Sequence, residues 1–223
     1  ADGKVDESFI VFESKEAMMV FNGKYPDNAV KPNTPLPRLN TTTLFDGTSL
    51  DQWTTSGSAQ WAIENGEIAG GQQGDPKRSG LLLTREKFKD FEFALDFKID
   101  EHGKYNSGVY LRYDPENRSS GRYQMNIGRA AAEEYTGLYL DRWLDKGDEH
   151  DEIRKPLEWN RLRIRAVGAH TEAWLNGRKI VDYTDPDPAP EWVSSGAIAL
   201  QTYGAEGHAG WVSFRNIRVT RLD

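Results

Sequence analysis

The sequence contains no cysteine, which removes disulfides, thiol nucleophiles, iron–sulfur clusters and thiolate zinc sites together. It also lacks any apolar run near the roughly 18 residues of a membrane span. The longest candidates, such as Phe9 to Phe12 and Leu81 to Leu83, fall far short, so no membrane-spanning segment is expected. Basic residues are in deficit: 28 Lys and Arg face 35 Asp and Glu, a formal charge of −7. Nucleic acid and anionic membrane surfaces both need a net basic footprint, so neither is an expected partner. No GxGxxG follows a strand and no GxxxxGK precedes Ser or Thr, which argues against nucleotide chemistry. The four histidines, His102, His150, His170 and His208, show no HExxH or paired spacing, so no transition-metal site and no cofactor are expected. A calcium ion held by loop carboxylates and carbonyls stays open, although no EF-hand pattern is present. Neither Ser56-Gly57-Ser58 nor Ser194-Ser195 forms the GxSxG elbow of a serine hydrolase.

A chain of 223 residues can bury one good core, and one all-β domain commonly takes this length. Residues 1 to 42 differ from the rest, with Tyr25-Pro26, Lys31-Pro32 and Thr34-Pro35-Leu36-Pro37 making an extended N-terminal arm. Its large apolar residues, Phe9 to Phe12 and Met18 to Phe21, predict a strand or short hairpin packed on a main domain of residues 43 to 223. The arm is also where a second copy of the chain would dock if the protein is a homo-oligomer. A polar opening at Ala1 suits an exported protein whose signal peptide has been removed, and equally a trimmed chain.

From Leu44 onward the period is two. Phe91, Phe93, Leu95, Phe97 and Ile99 alternate with Glu92, Ala94, Asp96 and Lys98, the pattern of a strand with one face in a core. Val109 and Leu111 alternate with Tyr110 and Arg112, and Tyr123, Met125 and Ile127 with Gln124 and Asn126. Asn65-Gly66 and Asn176-Gly177 each divide two alternating runs and predict type I′ hairpins, which need positive φ at both central residues. In the last run Val212 and Phe214 give way to Ile217 and Val219, so the parity slips and a β-bulge is predicted near Arg215-Asn216. The only helical candidates, Ser14 to Phe21 and Ala130 to Tyr135, are short. The fold class is therefore all-β, an antiparallel two-sheet jelly-roll sandwich.

If the three middle strands are neighbours, Asp96, Lys98, Tyr110, Arg112, Gln124 and Asn126 share one sheet face. Planar polar groups fixed on a sheet suit the paired hydroxyls of a small saccharide or glycan, because Asp, Asn and Arg each offer two hydrogen-bonding sites in a fixed fork. A solvated face with cross-strand pairs such as Asp96 with Arg112 is the plain alternative. Trp53 and Trp143 stand in loop-like stretches, where an indole can stack on a pyranose or cap the sandwich. Carboxylates for acid–base work are plentiful and unranked: Glu133-Glu134, Asp141, Asp145, Asp148-Glu149 and Asp151-Glu152.

Nine segments in order, LFDGTSLDQW, WAIENGEIAG, DFEFALDFKI, NSGVYLR, TGLYL, EWNRLRI, AWLNGRKIVDY, IALQTYG and VSFRNIRVTRL, resemble the 3-keto-disaccharide hydrolase family across residues 43 to 222. The resemblance implies a concanavalin A-like jelly roll whose concave sheet binds sugar. It also implies a reaction in which a base removes the acidified C2 hydrogen of a 3-keto-glycoside, the C1 substituent is eliminated and water adds. On that reading Asp96, Arg112 and Lys98 are the expected catalytic groups. Asn106, Tyr110, Gln124, Asn126, Arg129, Trp143, Gln201 and the glycine-loop His208 are the expected substrate contacts. The family's carboxylates are replaced by Gln124 and Arg129, and an Asp-His following Leu-Gln by Thr202-Tyr203. With Lys98, Arg112 and Arg129 counted in the cleft, its interior is expected to be neutral or cationic. A glycan-binding module without activity is the alternative.

Overall fold

Strict alternation along Phe91–Ile99 is realised as a strand whose odd residues, Phe91 to Ile99, are at most 2% exposed while its even residues face outward. The computed structural model describes residues 40–72, 75, 77–102, 105–117, 122–203 and 209–223. The arm residues 1–39, with the predicted strand at 9–12 and helix at 14–21, lie outside the described residues, and so does His208. Residues 40–42, counted with the arm above, form the first half of a strand of the sandwich.

In chain order the strands are β1 (Asn40–Phe45), β2 (Trp53–Gly57), β3 (Gln60–Glu64), β4 (Glu67–Gly71), β5 (Ser79–Thr84), β6 (Phe91–Ile99), β7 (Asn106–Tyr113) and β8 (Gln124–Ile127). They continue with β9 (Leu138–Tyr139), β10 (Trp143–Asp145), β11 (Asn160–Val167), β12 (His170–Leu175), β13 (Arg178–Thr184), β14 (Ala197–Tyr203) and β15 (Trp211–Arg221). Every pairing between them is antiparallel. One sheet runs β13-β12-β11-β6-β15-β4-β3, with β1 also on β15; the other runs β10-β9-β8-β7-β14-β5-β2. Between them lies one continuous core, in which Phe91, Phe93, Phe97 and Phe214 from the first sheet meet Val109, Leu111, Met125 and Leu200 from the second. Each such side chain contributes about 1.5–3 kcal/mol on burial. Among the described residues no helix is long and apolar enough to cross a membrane.

Both Asn-Gly pairs form tight hairpins: β3 to β4 turns at Asn65 (φ 54°) and Gly66 (φ 76°), and β12 to β13 at Asn176 (φ 49°) and Gly177 (φ 84°). The bulge in β15 falls between Arg215 and Arg218, where Asn216 takes φ 55°. The segment proposed as a helix at 130–135 contains a single 3-10 turn over Ala130–Ala132, ended by Glu133 at φ 61°.

Topology corrects one expectation directly. β6 lies in the first sheet, whereas β7 and β8 are neighbours in the second. The outward residues of β6 therefore do not share a face with those of β7 and β8.

Candidate active site

Register arranges the outer face of the second sheet in rows. Tyr139, Gln124, Tyr110 and Ala199 stand abreast across β9, β8, β7 and β14, and the next row runs Asn126, Gly108, Gln201, Leu81 and Ser56 from β8 to β2. Asn106 and Tyr203 pair one row further on. A hollow of about 380 Å³ opens over this end of the sheet, with Gln124, Asn126, Tyr110, Gln201 and Asn106 along its base and Trp143 and Tyr139 at its wall. Glu133 and Glu134 complete the lining from the connection after β8.

The amides on this face are cross-bonded. Gln124 Nε2 donates to Gln201 Oε1 at 2.6 Å and to Asn126 Oδ1 at 3.4 Å, and Asn126 Nδ2 donates to the Tyr135 carbonyl at 2.7 Å. Gln201 Nε2 lies 3.5 Å from the Tyr110 hydroxyl. The link from β8 to β14 spans β7 and is possible because Gly108 stands between them. A Cβ on Gly108 would overlap Gln124 Nε2 and lie 3.1 Å from its Cδ. Among the described residues Asn106 makes no side-chain hydrogen bond, so its amide is available to a ligand. Burial, followed by neighbouring tyrosines led by Tyr113, pushes the Tyr110 hydroxyl up to about 12, so it stays a proton donor throughout the working range.

The aromatic wall is preassembled: Trp143 meets Tyr135 edge-on at 5.0 Å and Tyr139 at 5.1 Å. Two contacts place the carboxylates. Gly128 lets the Glu134 backbone pack against it, where a Cβ would overlap the Glu134 carbonyl, and the Glu134 amide donates to the Arg129 carbonyl at 3.1 Å. The Ala130 amide, which begins the same turn, donates to Asp151 Oδ2 at 2.9 Å. Asp151 in turn pairs with the buried Arg154 at 2.9 Å, and Arg154 also pairs with Glu101. The acidic loop from Asp141 to Glu152 thus braces the turn that bears Glu133 and Glu134. Asp148 closes that loop by accepting the backbone amides of Glu152, Ile153 and Arg154.

Of the expected contacts, Asn106, Tyr110, Gln124, Asn126, Trp143 and Gln201 meet in this one hollow. The three expected catalytic groups do not. Asp96 is on the outer face of the first sheet, held by Arg161 at 2.9 Å, by Asn216 Nδ2 at 2.6 Å and by Arg215 at 3.7 Å. The bulge aims Asn216 at this carboxylate, which is consumed in a structural network. Lys98, on the same strand, lies 4.9 Å from the ring of Trp159 and 5.9 Å from that of Trp211.

Arg112 is on β7 but does not face outward. Leu111 and Arg112 together oppose Ile198 in a bulge, and Arg112 at φ 55° carries its side chain out of the outer-face alternation. Fully buried, the guanidinium donates to the carbonyls of Lys89 at 2.5 Å and Trp192 at 3.3 Å and pairs with Asp90 at 3.3 Å. Arg129 bonds the Glu101 carbonyl and is absent from the hollow's lining. Trp53 is 2% exposed and donates its indole N–H to the Leu44 carbonyl, so it packs inside the fold. Among the described residues the hollow holds two carboxylates and no cation, and the neutral-to-cationic interior expected above is corrected to an acidic one.

Among the described residues one group of side chains has metal-ligand geometry, His170, Glu172 and Asp182, on the first sheet and away from this hollow. Lys179 Nζ already sits there, 2.6 Å from Glu172 and 2.7 Å from Asp182.

Comparison with known proteins agrees with this architecture. Residues 40–220 match the family described as the 3-keto-alpha-glucoside-1,2-lyase-like domain. A 3-keto-disaccharide hydrolase from Bacteroides thetaiotaomicron is 27% identical over 229 residues, covering 81% of this chain and 78% of the relative. Among solved structures, a Bacillus subtilis protein with a galectin-like fold aligns with TM-score 0.61 at 13% identity, covering 81% of this chain and 94% of that one. The carbohydrate-binding module CBM66 from Bacillus subtilis aligns with TM-score 0.57 at 18% identity, covering 75% and 94%. These two likenesses concern the fold.

Proposed function

Because the chain belongs to the 3-keto-alpha-glucoside-1,2-lyase-like domain family, we propose that it cleaves 3-keto-glucosides in the hollow on its second sheet. The observation that carries this reading is the meeting of two carboxylates, four planar amides and an aromatic wall in one hollow of about 380 Å³. The 3-keto group acidifies the C2 hydrogen. Glu134 takes that hydrogen as a proton, the C2–H electron pair becomes the C1=C2 double bond, and the C1–O bond breaks toward the leaving oxygen, which gains a proton. Water then adds back, its hydroxyl to C1 and its hydrogen to C2, so the net change is hydrolysis. Enolate charge developing on the C3 oxygen needs donors aimed at it. Among the described residues the hollow holds no cation, and neutral amides, chiefly Asn106 and Gln201, supply them. Trp143 and Tyr139 hold the apolar face of the ring.

Cleavage in heavy water tests the pathway. Elimination followed by hydration leaves one solvent deuterium at C2 of the released 3-keto-sugar, read by mass spectrometry and NMR against an enzyme-free exchange control. Product without C2 deuterium beyond that control would overturn the elimination route in favour of direct hydrolysis.

Gly108→Ala tests the amide array. The added methyl group displaces Gln124 from Gln201, and saccharide affinity should fall about tenfold, or about 1.4 kcal/mol. The melting temperature should stay close to that of the parent, since the strand itself tolerates alanine. Unchanged affinity by calorimetry would show that the array does not form the binding floor.

A second reading is favoured by one observation: the floor carries amides, Gln124 and Asn126, rather than carboxylates. A glycan-binding module would bind the same ligand with equal affinity and release no product on long incubation.

A further inference from the structure

Charge in the hollow of the second sheet has one sign. Among the described residues its lining contains Glu133 and Glu134, with no lysine, arginine or histidine. Cations on the surrounding elements are engaged elsewhere: Arg129 on the Glu101 carbonyl, Arg154 on Asp151 and Glu101, and Lys146 on Glu149. The two carboxylates are also unlike. Glu134 is half-buried with its backbone packed on Gly128, which suits the base of the reaction. Glu133 is exposed at φ 61°, and among the described residues its carboxylate takes part in no hydrogen bond or ion pair. Other groups in the lining also suit positive charge. Asn106 is 6% exposed and makes no side-chain hydrogen bond among the described residues, so its carbonyl oxygen is an unused acceptor. Trp143 and Tyr139 bring aromatic rings, whose faces attract ammonium groups. The same aromatic cluster already holds one such group on the side of Tyr135: Lys146 Nζ lies 4.8 Å from that ring's centre, and Tyr135 packs edge-on against Trp143. Carboxylate, amide oxygen and aromatic face all receive positive charge, and an ammonium offers three donors and no acceptor.

We propose that this hollow selects a cationic sugar, a hexoside bearing a protonated amino group, and that Glu133 is the residue that reads the charge. The proposal rests on the reading that the hollow binds the sugar ring. It adds a preference for amino sugars over neutral ones and gives the second carboxylate a task separate from proton abstraction by Glu134. The same one-sided charge disfavours an acidic sugar. Because Glu133 is exposed, the preference is modest and is weakened by salt.

Calorimetry on the intact chain tests this, with EDTA present and at about pH 6, where alkyl amines are charged. The ligands are methyl glucoside, the methyl aminoglucosides with the amine at C2, C4 or C6, their N-acetyl forms, and methyl glucuronide. An exposed ion pair is worth up to about fivefold in affinity. At least one aminoglucoside should therefore bind about fivefold more tightly than methyl glucoside, and the glucuronide about fivefold more weakly. Acetylation should remove the advantage, because it removes the charge. Glu133→Gln should narrow the spread between that aminoglucoside and the glucuronide at least about fivefold, and Glu133→Lys should abolish it, both at the parental melting temperature. Equal binding of amino, neutral and acidic sugars by the parent overturns the cationic preference and leaves the hollow as a sugar site. An advantage kept after acetylation overturns charge as its cause, and one kept in both variants overturns Glu133 as its reader. The expected spread together with no turnover of methyl 3-keto-glucoside sustains the proposal while defeating the cleavage reading. Failure of every ligand to bind defeats both.

Discussion

Glu134→Gln is expected to lower turnover of a 3-keto-glucoside by about 10²–10⁴-fold, the range a positioned acid–base group contributes, with substrate affinity little changed. Gln keeps the shape and hydrogen-bonding size of Glu and removes only its ability to take a proton. The neighbouring Glu133→Gln should cost less than about tenfold. The two carboxylates differ in how they are held. Glu133 is exposed at the end of a 3-10 turn, in a left-handed conformation that β-carbon-bearing residues adopt at some cost. Glu134 is half-buried, its backbone packed on Gly128 and bonded to the Arg129 carbonyl. A base must be fixed relative to the hydrogen it removes, because misplacement of about 1 Å can cost about a hundredfold. Gly128→Ala should therefore reproduce much of the loss by moving the Glu134 backbone. Retention of turnover within about threefold in Glu134→Gln would transfer the base to another group.

The contrast between what the alternation revealed and what it concealed has a physical cause. Period two tells which side of a strand is apolar, and this was enough for the core of β6, the strands around Tyr110 and Gln124, and the two Asn-Gly hairpins. Parity also exposed the bulge at Asn216, since a slipped register leaves Val212 and Ile217 facing the same core. Alternation carries no information about which sheet a strand joins. Asp96 and Gln124 both read as outward residues, and the topology places them on different sheets. A bulge hides differently when it falls at the end of a run. Arg112 follows Tyr110 by two, and nothing in the short stretch after it shows that its backbone has turned to positive φ. Glu133 and Glu134 lie in a connection without period, so nothing in the sequence ranks them above the other carboxylates. The structure ranks them through Gly128, where the Glu134 carbonyl occupies the place a side chain would take.

Arg112→Ala is expected to destabilise the domain by about 3 kcal/mol or more, the cost of breaking a buried, hydrogen-bonded charge pair. For a chain of this size the melting temperature should fall by at least about 6 °C. The side chain is fully buried, and burial pushes its guanidinium below its ordinary value while Asp90 offsets that effect. Its removal strands the carbonyls of Lys89 and Trp192 and leaves the Asp90 carboxylate without its guanidinium. Gly196 is involved too, since a Cβ there would lie 2.8 Å from the Arg112 Cα, so the bulge has little room in which to relax. Arg112→Lys should recover only part of the loss, because one ammonium cannot reproduce the guanidinium fork that reaches three acceptors at once. This variant separates two roles that the sequence left joined. A guanidinium acting on the enolate would, when removed, abolish turnover at an unchanged melting temperature. A guanidinium closing the fold would lower the melting temperature and leave turnover per folded molecule near that of the parent. The second outcome is expected, because the hydrogen bonds, ion pair and ring contact of the Arg112 side chain are made with Phe91, Lys89, Asp90 and Trp192, and Arg112 does not line the hollow where the reacting ring would lie.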